Sequence, residues 1–145
     1  MNELIVECPC GTKNRIPTDK QHLAPKCGRC KKQLDLRDQA IPVELNDGSF
    51  QQFISGAQLP VMVDFYSPTC GPCRTIAPLI EKMARQYHGQ IIVAKLDTSI
   101  HRQSASRLQI RGVPTLIFFR KGTQVDQLVG AAPEQTIIRK IQSLI

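Results

Sequence analysis

Pro60-Val61-Met62-Val63-Asp64-Phe65-Tyr66-Ser67-Pro68-Thr69-Cys70-Gly71-Pro72-Cys73 decides the fold of this chain. Its first half, Pro60 to Tyr66, is a nearly continuous apolar run, the pattern of a central strand buried on both faces, and its single acid, Asp64, stands out. After the turn, Ile76, Leu79, Ile80, Met83 and Tyr87 fall at helical spacing, Pro78 predicts a kink, and Gly89 is placed to end the helix. Cys70 is therefore expected at or just before a helix N-terminus, where the positive end of the dipole favours thiolate. Two residues of separation let Cys73 reach it to form a disulfide.

Working outward, residues 41–145 alternate strand-like and helix-like patterns, the signature of an α/β domain. Ile41-Pro42-Val43-Glu44-Leu45 reads as a short strand, and Asp47-Gly48-Ser49 offers an N-cap for a helix carrying Phe50, Phe53 and Ile54 on one face. Ile91 to Leu96 reads as a second buried strand with Lys95 as its anomaly, followed by a short helix over 101–108. Thr115–Phe119 and Gln124–Val129 form a hairpin turned by Lys121-Gly122. Pro133, at the first helical position, opens a last helix whose Ile137, Ile138, Ile141, Leu144 and Ile145 face the sheet. The order is βαβαβαββα, with no internal repeat.

The chain has 145 residues, 41% hydrophobic and 21% charged, the balance of an ordinary globular protein. Its longest apolar runs, such as Leu116-Ile117-Phe118-Phe119, are far below the roughly 18 to 20 residues that cross a bilayer, so no membrane partner is expected. Met1 to Glu7 offers neither the basic region nor the apolar stretch of an export signal, which makes a reducing cytoplasm the default compartment. There, six cysteines imply metal binding or chemistry rather than a disulfide framework. The net charge of +7 is spread, +3 over residues 1–40 and +4 over the rest, and so argues against nucleic acid as the partner. The densest basic stretch, Lys26 to Lys32, equally suits the offsetting of metal-bound thiolates.

Cys70-Gly71-Pro72-Cys73, set in this element order, resembles the thioredoxin family over residues 41–145. The resemblance implies a thioredoxin fold, a central mixed sheet flanked by helices. It matches Asp64 to a buried acid, Lys95 to the lysine that pairs with it, and Pro78 to a helix-kinking proline. Gly112-Val113-Pro114-Thr115 matches the loop whose proline is cis and lies against the cysteines; Gly130 matches a glycine of the substrate groove. Thr69, Gly71, Pro72, Val113, Pro114 and Gly130 are the substrate-binding positions so implied. The family usually has tryptophan where this chain has Thr69 and Tyr66, and there is no tryptophan here at all. That removes apolar contact area beside Cys70 and is expected to alter partner affinity while the exchange survives.

Cys70 is expected to attack a substrate disulfide and Cys73 to resolve the mixed disulfide. Asp64, buried beneath them, either takes the Cys73 proton or serves as a structural acid paired with Lys95. Val113 either offers backbone groups to an extended substrate or belongs to a simple tight turn.

Residues 1–34 are short of large apolar side chains and need a staple. Cys8-x-Cys10 and Cys27-x-x-Cys30 come close to the spacing of a tetrathiolate Zn²⁺ site. The first pair is one residue short, so its sulfurs are expected from an extended segment, where residues two apart point the same way. Gly11 and Gly28 give permissive backbone beside the sulfurs, and His22 is a weaker substitute ligand. The arrangement is similar to the two-domain, zinc-binding bacterial thioredoxins of the thioredoxin-2 type. The division expected is a zinc-ribbon-like module with its linker over 1–40, then a thioredoxin domain over 41–145.

The resulting expectation is a protein-disulfide reductase with one Zn²⁺, a redox-active Cys70–Cys73 disulfide and no organic cofactor. Its partners, as the resemblance implies, are disulfide-containing proteins and an NADPH-dependent flavoprotein, thioredoxin reductase. Two other readings stay open: a binding module whose zinc ribbon captures nucleic acid or a protein through Lys31 and Lys32 while the second domain serves as scaffold, and a thiol oxidase or isomerase with a less reducing cysteine couple.

Overall fold

In the computed structural model, which describes residues 3–145, the two halves of the chain use different solutions to bury their apolar side chains. Met1 and Asn2, where the segment read for an export signal begins, lie outside the described residues. At the N-terminus, β1 (Glu3–Glu7) and β2 (Lys13–Pro17) pair antiparallel, with Leu4, Val6 and Ile16 turned inward and Glu3, Ile5 and Glu7 outward, the two-residue period of a half-buried strand. Their inner face meets Cys8, Cys27, Leu34 and Leu36 in one small cluster. A 3-10 turn (Thr18–Leu23) follows β2.

Residues 34–42, read as a linker or an entering edge strand, are neither a strand nor a solvated linker. Leu34, Leu36 and Ala40 are buried, because the small module has too few apolar residues to leave these leucines in water. The segment is clipped by Gln21, whose Nε2 donates to the Ile41 carbonyl at 2.7 Å while its Oε1 accepts from the Ile41 N–H at 3.1 Å. His22 rests edge-on against Phe53, with ring centroids 5.7 Å apart.

The larger part is a five-stranded mixed sheet. Its elements are β3 (Val43–Leu45), α1 (Phe50–Gly56), β4 (Val61–Tyr66), α2 (Gly71–Gln86), β5 (Ile92–Asp97), α3 (Arg102–Arg107), β6 (Thr115–Arg120), β7 (Thr123–Val129) and α4 (Glu134–Gln142), in the order expected. The strands lie in the order β3-β5-β4-β6-β7, so the apolar run Val61–Tyr66 is central, parallel to β5 and antiparallel to β6. Alternate residues of β4 serve the two faces. Val61, Val63 and Phe65 pack with Phe50 and Ile54 of α1, whereas Met62 packs with Ile76, Ile80 and Met83 of α2 and Ile137 and Ile141 of α4. The β6–β7 hairpin turns on Lys121 and Gly122, both left-handed (φ 53° and 80°), the backbone a tight two-residue hairpin requires.

Two local expectations change and a third is refined. Pro133 is the N-cap of α4, with extended backbone, rather than its first helical residue. Ile145, beyond the end of that helix, is exposed instead of facing the sheet. Within Asp47-Gly48-Ser49 the N-cap of α1 is Ser49, as that stretch offered, though without a side-chain capping bond, and Asp47 serves elsewhere: its Oδ1 accepts from the Ser104 N–H and Oγ–H, both at 2.8 Å, so it caps the first turn of α3 across the fold. Asn46 holds the start of α1, accepting from the Ser49 N–H at 2.8 Å.

Candidate active site and four-cysteine cluster

β4 ends at Tyr66, and the next residues carry the chain to Cys70, the N-cap of α2. Pro72 sits in the first turn of that helix, where its missing N–H costs nothing. Cys70 and Cys73 are joined by a disulfide, with Cα atoms 5.3 Å apart. The two sulfurs are not equivalent. Cys70 is half-buried and its Sγ accepts from the Cys73 N–H at 3.2 Å, while Cys73 is buried against the sheet. A backbone donor on Cys70 stabilises negative charge there, and the helix N-terminus adds to it.

The loop before β6 closes over the pair. Val113-Pro114 is a cis peptide, as the resemblance implied, and the Val113 carbonyl oxygen lies 3.6 Å from Cys70 Sγ. Gly130, left-handed at φ 89° just after β7, donates its N–H to the Pro114 carbonyl at 2.8 Å, tying the end of the sheet to this loop. Thr69, Gly71 and Pro72 are exposed around the disulfide, Val113 is half-buried beside them, and Pro114 is buried.

Asp64 lies beneath, on the face of the sheet that carries α2, and is 2% exposed. Together with Tyr66, Cys73, Arg74 and Lys95 it lines a cavity of about 130 Å³. Asp64 Oδ1 is buried without a hydrogen-bond partner among the described residues. Burial pushes its carboxyl up to about 7, against the pull of the Lys95 ammonium and with the push of the Glu44 carboxylate.

The expected Asp64–Lys95 pair is not a contact pair. The two are register partners on adjacent strands, yet Lys95 Nζ lies 3.9 Å from Glu44 Oε1 and 4.3 Å over the Tyr66 ring. Glu44 is the more accessible carboxylate and accepts from the Tyr66 hydroxyl at 2.9 Å, so it holds the ammonium with a smaller desolvation penalty than the buried acid would. Sequence reasoning missed Glu44. The available signal was its place between Val43 and Leu45, an acid in the middle of a short strand, which puts it in register with Lys95.

The second cysteine group lies in the N-terminal module. The sulfurs of Cys8, Cys10, Cys27 and Cys30 all lie within 4.8 Å of one another, with Cys8–Cys30 at 3.5 Å and Cys10–Cys27 at 3.7 Å. Tetrahedral Zn²⁺ with bonds near 2.3 Å needs sulfurs about 3.8 Å apart, so the donor set fits the ion. Cys8-x-Cys10 reaches this geometry by a turn rather than the extended segment expected. Gly11 N–H donates to the Cys8 carbonyl and Cys8 N–H to the Thr12 carbonyl, while in the longer Cys27–Cys30 loop Lys31 N–H donates to the Cys27 carbonyl and Cys27 N–H to the Lys32 carbonyl. Each loop passes its second cysteine into a left-handed residue, Gly11 at φ 93° and Lys31 at φ 66°. The missing residue therefore shortens the loop without changing how it closes.

Charge points the same way. Backbone N–H groups of Cys30 and Arg29 hold the Cys27 thiol down to about 6. Cys8, although drawn down by the Cys10 backbone, is pushed up to about 12 by burial and by the thiols of Cys30, Cys10 and Cys27. Without a cation Cys8 keeps its proton; ionised together, four sulfurs this close would need a cation among them. His22 is not near enough to matter: it sits against Phe53, outside the four-cysteine group.

Comparison with known proteins agrees with this architecture. A family model described as Thioredoxin matches residues 41–143. Thioredoxin C-3 of Corynebacterium nephridii is 37% identical over 128 residues, taking in 88% of this chain and 86% of that protein. A thioredoxin of Synechocystis sp. is 39% identical over 70% of this chain and 95% of its own length. The chloroplastic Thioredoxin M-type of Pisum sativum is 41% identical over 70% of this chain, which spans 59% of that protein's length. Among solved structures, the N21Q mutant thioredoxin from Halobacterium salinarum NRC-1 superposes with a TM-score of 0.66 at 33% identity, covering 72% of this chain and 90% of its own. A central strand feeding a disulfide at a helix N-terminus, a cis proline against it and these relatives lead to one conclusion: the chain belongs to the thioredoxin family of thiol-disulfide oxidoreductases.

Proposed function

We propose that this chain is a thioredoxin-type protein-disulfide reductase in which Cys70 is the nucleophile and Cys73 the resolving thiol. The observation that carries the assignment is the asymmetry of the pair: Cys70 is the more accessible sulfur and receives a backbone N–H, while Cys73 is buried over Asp64. In the reduced protein, Cys70 thiolate attacks one sulfur of a substrate disulfide. That bond breaks, the leaving thiolate takes up a proton, and a mixed disulfide forms. Asp64 then accepts the Cys73 proton, directly or through water in the cavity, and the Cys73 thiolate attacks Cys70 Sγ. The second substrate thiol leaves and the Cys70–Cys73 disulfide remains, the state seen here. Two electrons from an NADPH-dependent flavoprotein, thioredoxin reductase, return the pair to dithiol.

Thr69, Gly71, Pro72, Val113, Pro114 and Gly130 form the proposed substrate-docking rim, in support of which the Val113 carbonyl lies against Cys70 and Gly130 is bonded to the Pro114 carbonyl. An extended substrate segment would use the Val113 backbone for pairing. Residues 1–40 form the proposed zinc module and 41–145 the reductase domain, the arrangement of the thioredoxin-2 type, acting in the cytoplasm. Bound by Cys8, Cys10, Cys27 and Cys30, Zn²⁺ would supply folding free energy within a closed shell and no open position for substrate. The module is thus structural or redox-responsive; in the latter case peroxide releases the metal.

The test is NADPH-coupled reduction of a protein disulfide with thioredoxin reductase, wild type against Cys70→Ser, with metal assayed in the same samples. Turnover lost in the variant, with one Zn²⁺ retained per chain, is the expected result. Turnover unchanged in Cys70→Ser would overturn the assignment.

A further inference from the structure

One row of side chains crosses the sheet beneath the disulfide. Glu44 of β3 is in register with Lys95 of β5, and Lys95 with Asp64 of β4, which in turn faces Leu116 of β6. Two carboxylates thus flank a single ammonium. The ammonium is placed with the outer one, at 3.9 Å, and rests over the Tyr66 ring. Tyr66 fixes that outer carboxylate by donating its hydroxyl to Glu44 Oε1 at 2.9 Å. The inner carboxylate keeps a buried oxygen with no partner among the described residues.

We propose that Glu44 is a positioning residue of this site: with Tyr66, it holds the Lys95 ammonium off Asp64. The Lys95 stem is long and its strand position serves both acids equally, so what decides its placement is the competing carboxylate. Removing the Glu44 charge frees Lys95 to swing to Asp64, where an opposite charge within 4–6 Å favours the ionised acid. Held apart, Asp64 keeps its proton to higher pH and is the stronger base once ionised. The other titratable groups around it do not compete for this role. Cys73 and Arg74 come from α2, with the Arg74 guanidinium donating to the Pro68 carbonyl at 3.0 Å, and Asp97 of β5 accepts from Ser99. β6 presents only Leu116.

The inference rests on the reductase reading for its effect on rate, but not for its test. The full-length, metal-loaded, oxidised protein is labelled with ¹³C at aspartate carboxyls, and the Asp64 midpoint is followed by NMR in wild type, Glu44→Gln, Lys95→Met and the double variant. Glu44→Gln is expected to lower the midpoint by about one pH unit. In the Lys95→Met background the same substitution is expected to move it by less than half as much. Tyr66→Phe, which leaves both charges, is expected to shift it in the same direction by a smaller amount. No downward shift in Glu44→Gln, or one at least half as large without Lys95, would show that Glu44 does not act through the lysine and would overturn the proposal. Turnover of the wild type decides the reductase reading separately. Where both hold, the pH–rate profile of Glu44→Gln moves to lower pH with the Asp64 midpoint.

Discussion

The chain holds six cysteine sulfurs in two settings, and the settings rather than the sulfurs separate their chemistry. Cys70 and Cys73 are fixed between a central strand and a 16-residue helix, over a sheet whose two faces are filled by large apolar side chains. The frame exists without them, so the pair is free to be oxidised and reduced. Cys8, Cys10, Cys27 and Cys30 stand on two short loops, and Cys8 and Cys27 are themselves part of a seven-residue core. Here two of the sulfurs are part of the core itself. A thiol pair that works must be dispensable to the fold; in the proposed zinc module, by contrast, any change at the sulfurs would also disturb the packing around them.

Metal removal gives the largest effect that could break this contrast. Structural Zn²⁺ contributes about 10–16 kcal/mol of apparent binding free energy in small zinc domains, so a chelator, or Cys27→Ser, is expected to unfold the N-terminal module. Hydrogen exchange should show amides of β1 and β2 losing protection while β4, β5 and β6 keep theirs. Turnover is expected to change by less than about threefold, since the rim of Cys70 contains no residue of the module. A loss as deep as that of Cys70→Ser would mean that the two regions work as one.

Asp64→Asn sharpens the other side of the contrast, because it trades stability against activity. Folded, Asp64 keeps its proton up to about pH 7; unfolded, it releases it near its ordinary 3.8. Between these values the folded state binds more proton than the unfolded one, so stability falls as pH rises from about 4 to about 7. Asparagine removes that loss. The variant is expected to match the wild type near pH 4 and to exceed it at pH 8, by ~4 kcal/mol at most, in denaturant titrations at the two values. Its reductase rate is expected to fall by about a hundredfold at neutral pH, the low end of what a positioned base contributes, in stopped-flow oxidation of the dithiol.

The smallest effect concerns the frame alone. Asp47→Ala removes the cap that spans from the β3–α1 loop to α3, and thermal unfolding should show a loss of about 1 kcal/mol with the metal still bound. Rates at Cys70 should be unaffected, since α3 carries none of the proposed exchange residues.

Most of the frame was legible in the sequence, because it rests on local signals. The apolar run Val61–Tyr66, the helical spacing from Ile76 to Tyr87 and the Lys121-Gly122 turn each name their own element. Helix ends were less legible. Asp47 stands beside a helix start in sequence and caps a different helix, since an acceptor serves whichever N–H groups the fold brings to it. The segment over 34–42 read as a linker or an entering edge strand, because two leucines among charged residues are too few to name an element; only the shortage of core in the module shows why they are buried.

By itself, then, the sequence determined the element order, the strand-to-helix junction that bears Cys70 and Cys73, and the presence of a second, separate set of four thiols. Those follow from spacing, which acts over a few residues. Tertiary structure decided which groups share a charge. Cys8-x-Cys10 was short of a residue on paper, yet its turn closes on the same backbone bonds as the longer loop. Lys95 had a partner assigned by position, and went to Glu44 instead of Asp64. Spacing cannot settle such competition, because it turns on which carboxylate is buried and which has a neighbour's hydroxyl to hold it, and both depend on strands brought together from distant parts of the chain.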